Sequence, residues 1–244
     1  MLLETKAIVL GRIPYNDSFA IAHLLTEEKG FVSYRIPLSK SKNRKADRLR
    51  RIMIPLTEVH IVAEHREKRA LQKLLEATPH PVRIDTYTDP VKRGICFFLA
   101  ELLTTLLRHI SIDRPIYRFI SQSLDCLEQK KKGIANFHLA FMWQLLHMFG
   151  IIPHEASFRG HEGDYFSLRD VCFYPQRRDR DSLPPEEAQF LRHLCRIQYR
   201  NMHLYKLNNV ERQYIIKKLL DFYHIHLTPI PSLASLQVLN LLYK

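Results

Sequence analysis

The residues best suited to do chemistry in this sequence are cations. Residues 39–51, SKSKNRKADRLRR, carry Lys40, Lys42, Arg44, Lys45, Arg48, Arg50 and Arg51 against the one acid Asp47. That is a net +6, half of the +12 borne by the whole chain of 244 residues. Lysine and arginine packed this densely suit phosphate, because they neutralise its oxygens and release condensed counterions whatever the sequence of the polyanion. The other reading is a solvated charge run. Near this segment, Arg35 adds a further cation, and the rings of Phe31 and Tyr15 are of the kind that stack on unpaired bases. Ordinary core or turn packing explains either ring equally well. Smaller cationic groups occur at Lys130, Lys131 and Lys132 and at Lys217 and Lys218. They fit a rim that holds an acidic peptide, or simply helix ends and solvated faces.

Other chemistries find less support. His154, His161 and Cys172 include two metal-ligand types, but their spacing matches no structural zinc pattern. Glu162, Asp164, Asp170, Asp179 and Asp181 would be needed as paired carboxylates in a metal-dependent nuclease. Arg177, Arg178 and Arg180 interrupt them, and no regular element is predicted to present them together. The seven glycines build neither a phosphate loop nor a dinucleotide fingerprint, and no G-x-S-x-G elbow occurs. We therefore expect no catalytic residues, no metal and no cofactor.

The bulk properties agree with a polyanion partner. Hydrophobic residues make up 46%, enough for a packed core. An excess of 37 Lys and Arg over 25 Asp and Glu points to nucleic acid before anionic lipid or acidic protein. The four cysteines, Cys96, Cys126, Cys172 and Cys195, are dispersed, with no disulfide framework, which favours a reducing cytoplasm. No secretory signal is visible at the start. Residues 133–154 lack formal charge but are interrupted by Gly150 and Pro153, so they read as a buried helix and its exit rather than a membrane span.

Two kinds of element must position the cations. Up to about residue 78, β-branched and aromatic runs separated by turn signals predict strands at 3–12, 18–26, 30–36, 52–63 and 71–78. Five short strands suit a small closed barrel of the OB type. In the third strand Val32, Tyr34 and Ile36 alternate with Phe31, Ser33 and Arg35; the first set faces the core and the second faces out. The basic run lies between two strands and should project as a loop or short helix. Beyond Pro79 the period becomes helical. Asp89 caps a helix that starts at Pro90, and a second starts at Asp113 and Pro115. Residues 137–149 form a central helix, and Pro184 and Pro185 open a fourth. Asn208 and Glu211 form a capping box for a fifth, and 233–242 a short sixth. The fold class is α+β in two parts: a five-stranded OB-fold barrel over residues 1–80, then an all-α domain over 81–244 with an irregular insertion at about 150–183.

The order of these features resembles the RecO family of bacterial recombination mediators. The residues that carry the resemblance are Lys6-Ala7-Ile8-Val9-Leu10, Asp17-Ser18, Leu25-Thr26-Glu27-Glu28-Lys29-Gly30 and the basic run. In the helical half they are Ala100-Glu101-Leu102-Leu103 and the segment from Leu145 to Pro153. The resemblance covers most of the chain. It implies an N-terminal OB-fold, binding of single- and double-stranded DNA, and annealing of complementary strands. It also implies partnership with RecR and with the acidic C-terminal tail of the single-stranded DNA-binding protein SSB, and an indirect role in loading RecA. The setting it implies is the bacterial cytoplasm, at the nucleoid. Lys130, Lys131 and Lys132 are the candidates for the tail. Many members carry a four-cysteine zinc site just after the position of Pro153; here only Cys172 stands in that region, so zinc is not carried over. An RNA-binding OB-fold and a metal-dependent nuclease are the alternative functions.

Overall fold

Thirteen residues at the start of the chain form one long strand, β1 (Leu2–Pro14), and its length lets it pair twice. Its first half runs antiparallel to β4 (Glu58–Glu64) and its second half to β2 (Phe19–Thr26), with a register shift between Val9 and Gly11 where the strand bends. β2 pairs with β3 (Gly30–Pro37), β3 with β5 (Leu71–Pro79) in parallel, and β5 with β4, which closes a barrel in the order β1-β2-β3-β5-β4. The computed structural model describes residues 1–37, 44–108, 114–151 and 163–242. The barrel is the expected five-stranded OB type, and Val32, Tyr34 and Ile36 face its core with Ala7, Val9, Leu24, Val59, Ile61 and Leu74.

The basic run becomes a helix, α1 (Arg44–Ile52), between β3 and β4. Leu49 and Met53, each 4% exposed, join the core cluster of the barrel, and Ile52 packs against it. This corrects the fourth strand expected at 52–63. Ile52 and Met53 are apolar because they plug the barrel, not because they alternate in a sheet. Leu56, at φ 59°, then turns the chain before β4 begins at Glu58.

The chain divides into two compact units, Met1–Gln129 with Leu233–Leu242, and Lys130–Ser232. In the first, α2 (Ile84–Thr88), α3 (Pro90–Leu107), α4 (Arg114–Gln129) and α8 (Ala234–Leu241) accompany the barrel. Asp89 caps α3 as expected, accepting from the amides of Val91 at 2.8 Å and Lys92 at 3.1 Å. Asp113, read as the start of α4, lies outside the described residues. The barrel and these helices are joined by buried charge. Glu58 of β4, 3% exposed, accepts from Arg83 at 2.9 Å, from the Tyr117 hydroxyl at 2.8 Å and from Ser121 at 2.9 Å. Arg83, 4% exposed, also donates to Asp125 at 2.8 Å. Burial, then the Glu58 carboxylate, pushes the Tyr117 phenol well up, so that it stays a donor. Glu128 receives the first amides of α2, and Glu101 receives the amides of Ala234 and Ser235 at the start of α8.

In the second unit, α5 (Phe137–Met148) is buried on nearly every side, as a sequence apolar almost all round predicts. Around it run α6 (Pro185–Leu194) and α7 (Asn209–His226), the latter starting with the expected Asn208–Glu211 capping box. The Trp143 indole donates to the Cys195 carbonyl at 3.1 Å, and the Tyr223 hydroxyl to that of Met142 at 2.6 Å. Gly133 has φ +72°, and a Cβ there would stand 2.7 Å from the Cα of His203, so both conformation and space demand glycine. The segment expected to be irregular holds a small antiparallel sheet, β6 (Tyr165–Ser167), β7 (Cys172–Tyr174) and β8 (Ser182–Leu183), with β6 central. Its strands are two or three residues long, too short to leave a period in the sequence.

Two stability measurements follow from the buried polar groups. Glu58→Gln leaves the Arg83 guanidinium buried with only the half-exposed Asp125 carboxylate, and should cost about 3 kcal/mol in urea unfolding, the low end for breaking a buried pair. His138 of α5 is fully buried, and burial, then the charge of Arg212, lowers its pKa from 6.5 to about 3. Below pH 6.5 the unfolded chain therefore takes a proton that the native chain refuses. Stability should fall with pH from there toward pH 3, by up to about 1.4 kcal/mol per unit. Unfolding followed by the fluorescence of Trp143, the one tryptophan, should show this slope shrink by about one proton in His138→Met.

Candidate nucleic-acid interface

The outward side of β2 and β3 carries a ladder of rings and cations. Strand alternation puts Phe19, Ile21 and His23 of β2 beside Ser33 and Arg35 of β3, in the register Ile21–Arg35 and His23–Ser33. At the β1–β2 turn, Asn16 Oδ1 accepts from the amides of Ser18 at 2.8 Å and Phe19 at 3.0 Å, which fixes the turn. The fixed turn lays Tyr15 on Phe19, with ring centres 4.9 Å apart and planes 19° from parallel. The Arg35 guanidinium lies 5.5 Å from the centre of the same Phe19 ring. Tyr15 keeps 65% of its surface exposed, so one face of its ring is open. Phe31 is engaged differently: the His23 ring stacks on it at 5.4 Å and the Arg108 guanidinium lies 5.9 Å away. His23 also bonds Ser33 Oγ at 2.9 Å, and burial, then Arg108, lowers its pKa, so it is neutral at pH 7.

Beside this ladder lies a cationic cleft. β3 and β5 are paired so that Arg35 stands next to Lys73. Residues 65–70, between β4 and β5, hold Arg66, Lys68 and Arg69, all exposed. Their loop is held by the amide of Gln72, itself 5% exposed. Its oxygen accepts from the Arg66 amide at 2.8 Å, and its nitrogen donates to the carbonyls of Arg66 and Arg69. Arg35, Arg66, Arg69 and Lys73 line a cleft of about 250 Å³ with Glu64, Leu71 and Gln72. Glu64, the acid of the lining, pairs with Lys73 at 2.9 Å.

The third group of cations lies on α1. Its buried face fixes the opposite face outward, so that Arg48, Arg50 and Arg51 are exposed, and Arg12 of β1 donates to the Arg50 carbonyl at 2.9 Å. Asp47 pairs with Arg50 at 2.9 Å and with Arg51 at 2.6 Å. These hydrogen bonds, Arg50 first, hold its carboxyl below the usual range. All three side chains are solvent-exposed, and pairs of that kind are weak and readily exchanged for a phosphate. Arg44 and Lys45 enter the first turn of α1; their side chains, with Lys40 and Lys42, lie outside the described residues.

The remaining candidates are dispersed. Lys130, Lys131 and Lys132 belong to the second unit, just before the 3-10 turn Ile134–Asn136. His154, His161 and Glu162 lie outside the described residues, and Cys172 is half-buried on β7. Among the described residues no three His, Cys, Asp or Glu side chains converge on a metal position. Asp179 accepts from the hydroxyls of Ser167 at 3.1 Å and Ser182 at 2.9 Å, and Asp181 pairs with Arg169 at 2.8 Å, so these two acids brace the small sheet. Sequence reasoning missed Phe19, His23, Arg12, Arg108 and the loop cations Arg66, Lys68 and Arg69. The run His65-Arg66-Glu67-Lys68-Arg69 between two strand patterns was the available signal.

Two family models cover nearly the whole chain: Recombination protein O N terminal over residues 1–81 and Recombination protein O C terminal over 87–234. Among curated proteins, the chain is 37% identical over 245 residues to a protein named DNA repair protein RecO from Porphyromonas gingivalis, covering 100% of both. It is 32% identical over 241 residues to one of the same name from Azobacteroides pseudotrichonymphae, covering 98% of both. A third, from Flavobacterium psychrophilum, is 27% identical over 244 residues.

If the three groups of cations meet phosphate, binding to single-stranded DNA should weaken steeply with salt. Three to five contacts give a log–log slope of roughly −2 to −3.5. Changing Arg48, Arg50 and Arg51 to alanine leaves the buried face of α1 intact, and should flatten that slope by about 2 in an anisotropy titration.

Proposed function

This chain belongs to the RecO family, and on that premise we propose that it is a DNA-binding mediator of recombinational repair that performs no covalent chemistry of its own. It binds single- and double-stranded DNA, anneals complementary strands and, together with RecR, helps load RecA on DNA coated by SSB. The observation that carries this reading is the cationic barrel: α1 with Arg48, Arg50 and Arg51 at one place, and Arg35, Arg66, Arg69 and Lys73 around a cleft at another. Cations held on two parts of one rigid scaffold can neutralise two stretches of backbone at once, which is what pairing of two repelling strands requires. OB-folds present their β2–β3 face and the β1–β2 and β4–β5 loops to oligonucleotides, and those are the parts that carry Tyr15, Phe19, Arg35, Arg66 and Arg69 here.

The names of the relatives support the repair setting, and the bacterial cytoplasm at the nucleoid is its place. No described helix is long and apolar enough to cross a membrane. Lys130, Lys131 and Lys132 are the residues we assign to the acidic tail of SSB. In the nuclease alternative Asp179 and Asp181 would have to leave the hydroxyl and arginine partners they now hold.

An annealing assay on complementary strands coated with SSB tests the proposal. The wild-type protein should speed annealing, and the Arg48, Arg50, Arg51 triple alanine variant should lose most of that acceleration. Alanine at Lys130, Lys131 and Lys132 should lower the rate on coated strands and leave that on bare strands unchanged. A wild-type protein that leaves the annealing rate at its background value refutes the proposal.

A further inference from the structure

The ladder and the cleft share one residue, and that juxtaposition has a consequence for which form of DNA the barrel prefers. Arg35 lies over Phe19 and also lines the cleft with Arg66, Arg69 and Lys73. Phe19 in turn carries Tyr15, whose outer face is open. The open face of Tyr15 and the cationic cleft thus stand at the two ends of one short stack, Tyr15–Phe19–Arg35. A single strand offers matching parts in series: a planar base and, further along the same backbone, a phosphate. We infer that the Tyr15–Phe19 stack and the Arg35–Arg66–Arg69–Lys73 cleft together form a subsite for a short unpaired strand, with one base on Tyr15 and the phosphate of a nearby nucleotide in the cleft.

This rests on the DNA-binding reading above and adds to it a choice between strand forms. A base can lie on Tyr15 only if its face is free. In a duplex both faces are covered by neighbours, so the platform offers nothing to a duplex without unstacking it. Arg48, Arg50 and Arg51 of α1 are solvent-exposed cations, and phosphate contacts of that kind serve single and double strands alike. Single-strand preference should therefore reside in Tyr15, with Phe19 as its support.

Two features indicate a built site rather than a chance patch. The loop that brings Arg66 and Arg69 is fixed by three hydrogen bonds with the buried Gln72 side chain, one accepted and two donated. The turn that carries Tyr15 is fixed by two that Asn16 Oδ1 accepts from the amides of Ser18 and Phe19. Both halves are thus ordered before any ligand arrives, which lowers the entropic cost of binding. Gln72 acts here as a positioning residue.

The test uses the full chain and two probes, a 20-residue oligothymidylate and a 20-base-pair duplex, titrated by anisotropy at several salt concentrations. Tyr15→Ala should weaken oligothymidylate binding about 5- to 150-fold, the range for losing one base–aromatic stack, with the salt slope unchanged. Duplex binding should stay within about twofold, and Tyr15→Phe should restore wild-type behaviour on both probes. Arg66→Ala with Arg69→Ala should flatten the single-strand salt slope by roughly 1.4, two phosphate contacts. Gln72→Leu, which frees the loop, should weaken single-strand binding while leaving the duplex contact of α1 in place. Equal loss on both probes for Tyr15→Ala, or loss on neither, overturns the subsite. The Arg48, Arg50, Arg51 triple variant separates the two readings: its loss of affinity for both probes upholds DNA binding by the barrel even if the subsite fails. A wild-type protein that binds neither probe ends both.

Discussion

A carboxylate that would cost several kcal/mol to bury alone sits at the join of barrel and helices in this protein. Glu58 lies on β4, facing away from the barrel core, and its two oxygens receive Arg83, Tyr117 and Ser121. Those donors come from the segment after the barrel and from α4. The barrel therefore cannot present its outer faces in a fixed setting unless the helices are in place to satisfy Glu58. This explains why the first compact unit runs on to Gln129 although strands give way to helices near Pro79. With one side of the barrel committed to helices, the β2–β3 wall and the plug helix α1 are left to meet a ligand.

Those two remaining surfaces are shaped by the same rule, that a side chain goes where its neighbours in the chain leave room. In α1 and the residue just past its end, the helical period separates Leu49 and Met53, which fill the core, from Arg48, Arg50 and Arg51, which cannot follow them in. On β2 and β3 a period of two does the same, sending Tyr34 inward and Arg35 outward. Charge density is in this sense a by-product of folding: once the apolar positions are buried, the cations between them are gathered on one side. The second unit shows the complementary use of polar groups. Asn136 accepts from Arg212 at 3.2 Å and donates to the carbonyls of Met202 and Tyr205, tying the chain before α5 to α7 and to the turn that precedes it.

Much of this was legible beforehand, and the failures have physical causes. Val32, Tyr34, Ile36 and the caps at Asp89 and Asn208 could be read because each depends on residues a few positions apart. Ile52 and Met53 were misread because a short apolar pair has no period of its own, and only the barrel opening they fill tells helix from strand. The ring of Phe31 was picked for its exposure, yet His23 lies on it, a contact made across two strands that no local pattern encodes. Phe19 was overlooked for the same reason. Its role depends on Tyr15 from the preceding turn and Arg35 from the next strand. The cleft escaped notice because Arg35 and Lys73 become neighbours only through a parallel pairing of distant strands.

That pairing has a meaning of its own. β3 and β5 are matched at only three positions among the described residues, Ser33–Leu71, Tyr34–Gln72 and Arg35–Lys73, whereas β2 and β3 are matched at eight. The thinnest seam of the cylinder thus runs beneath the cleft, with Arg35 on one bank and Lys73 on the other. An anion lodged between them would clasp the seam from outside, and each such clasp would make the open cylinder rarer. Occupancy and closure are then a single equilibrium seen from two ends.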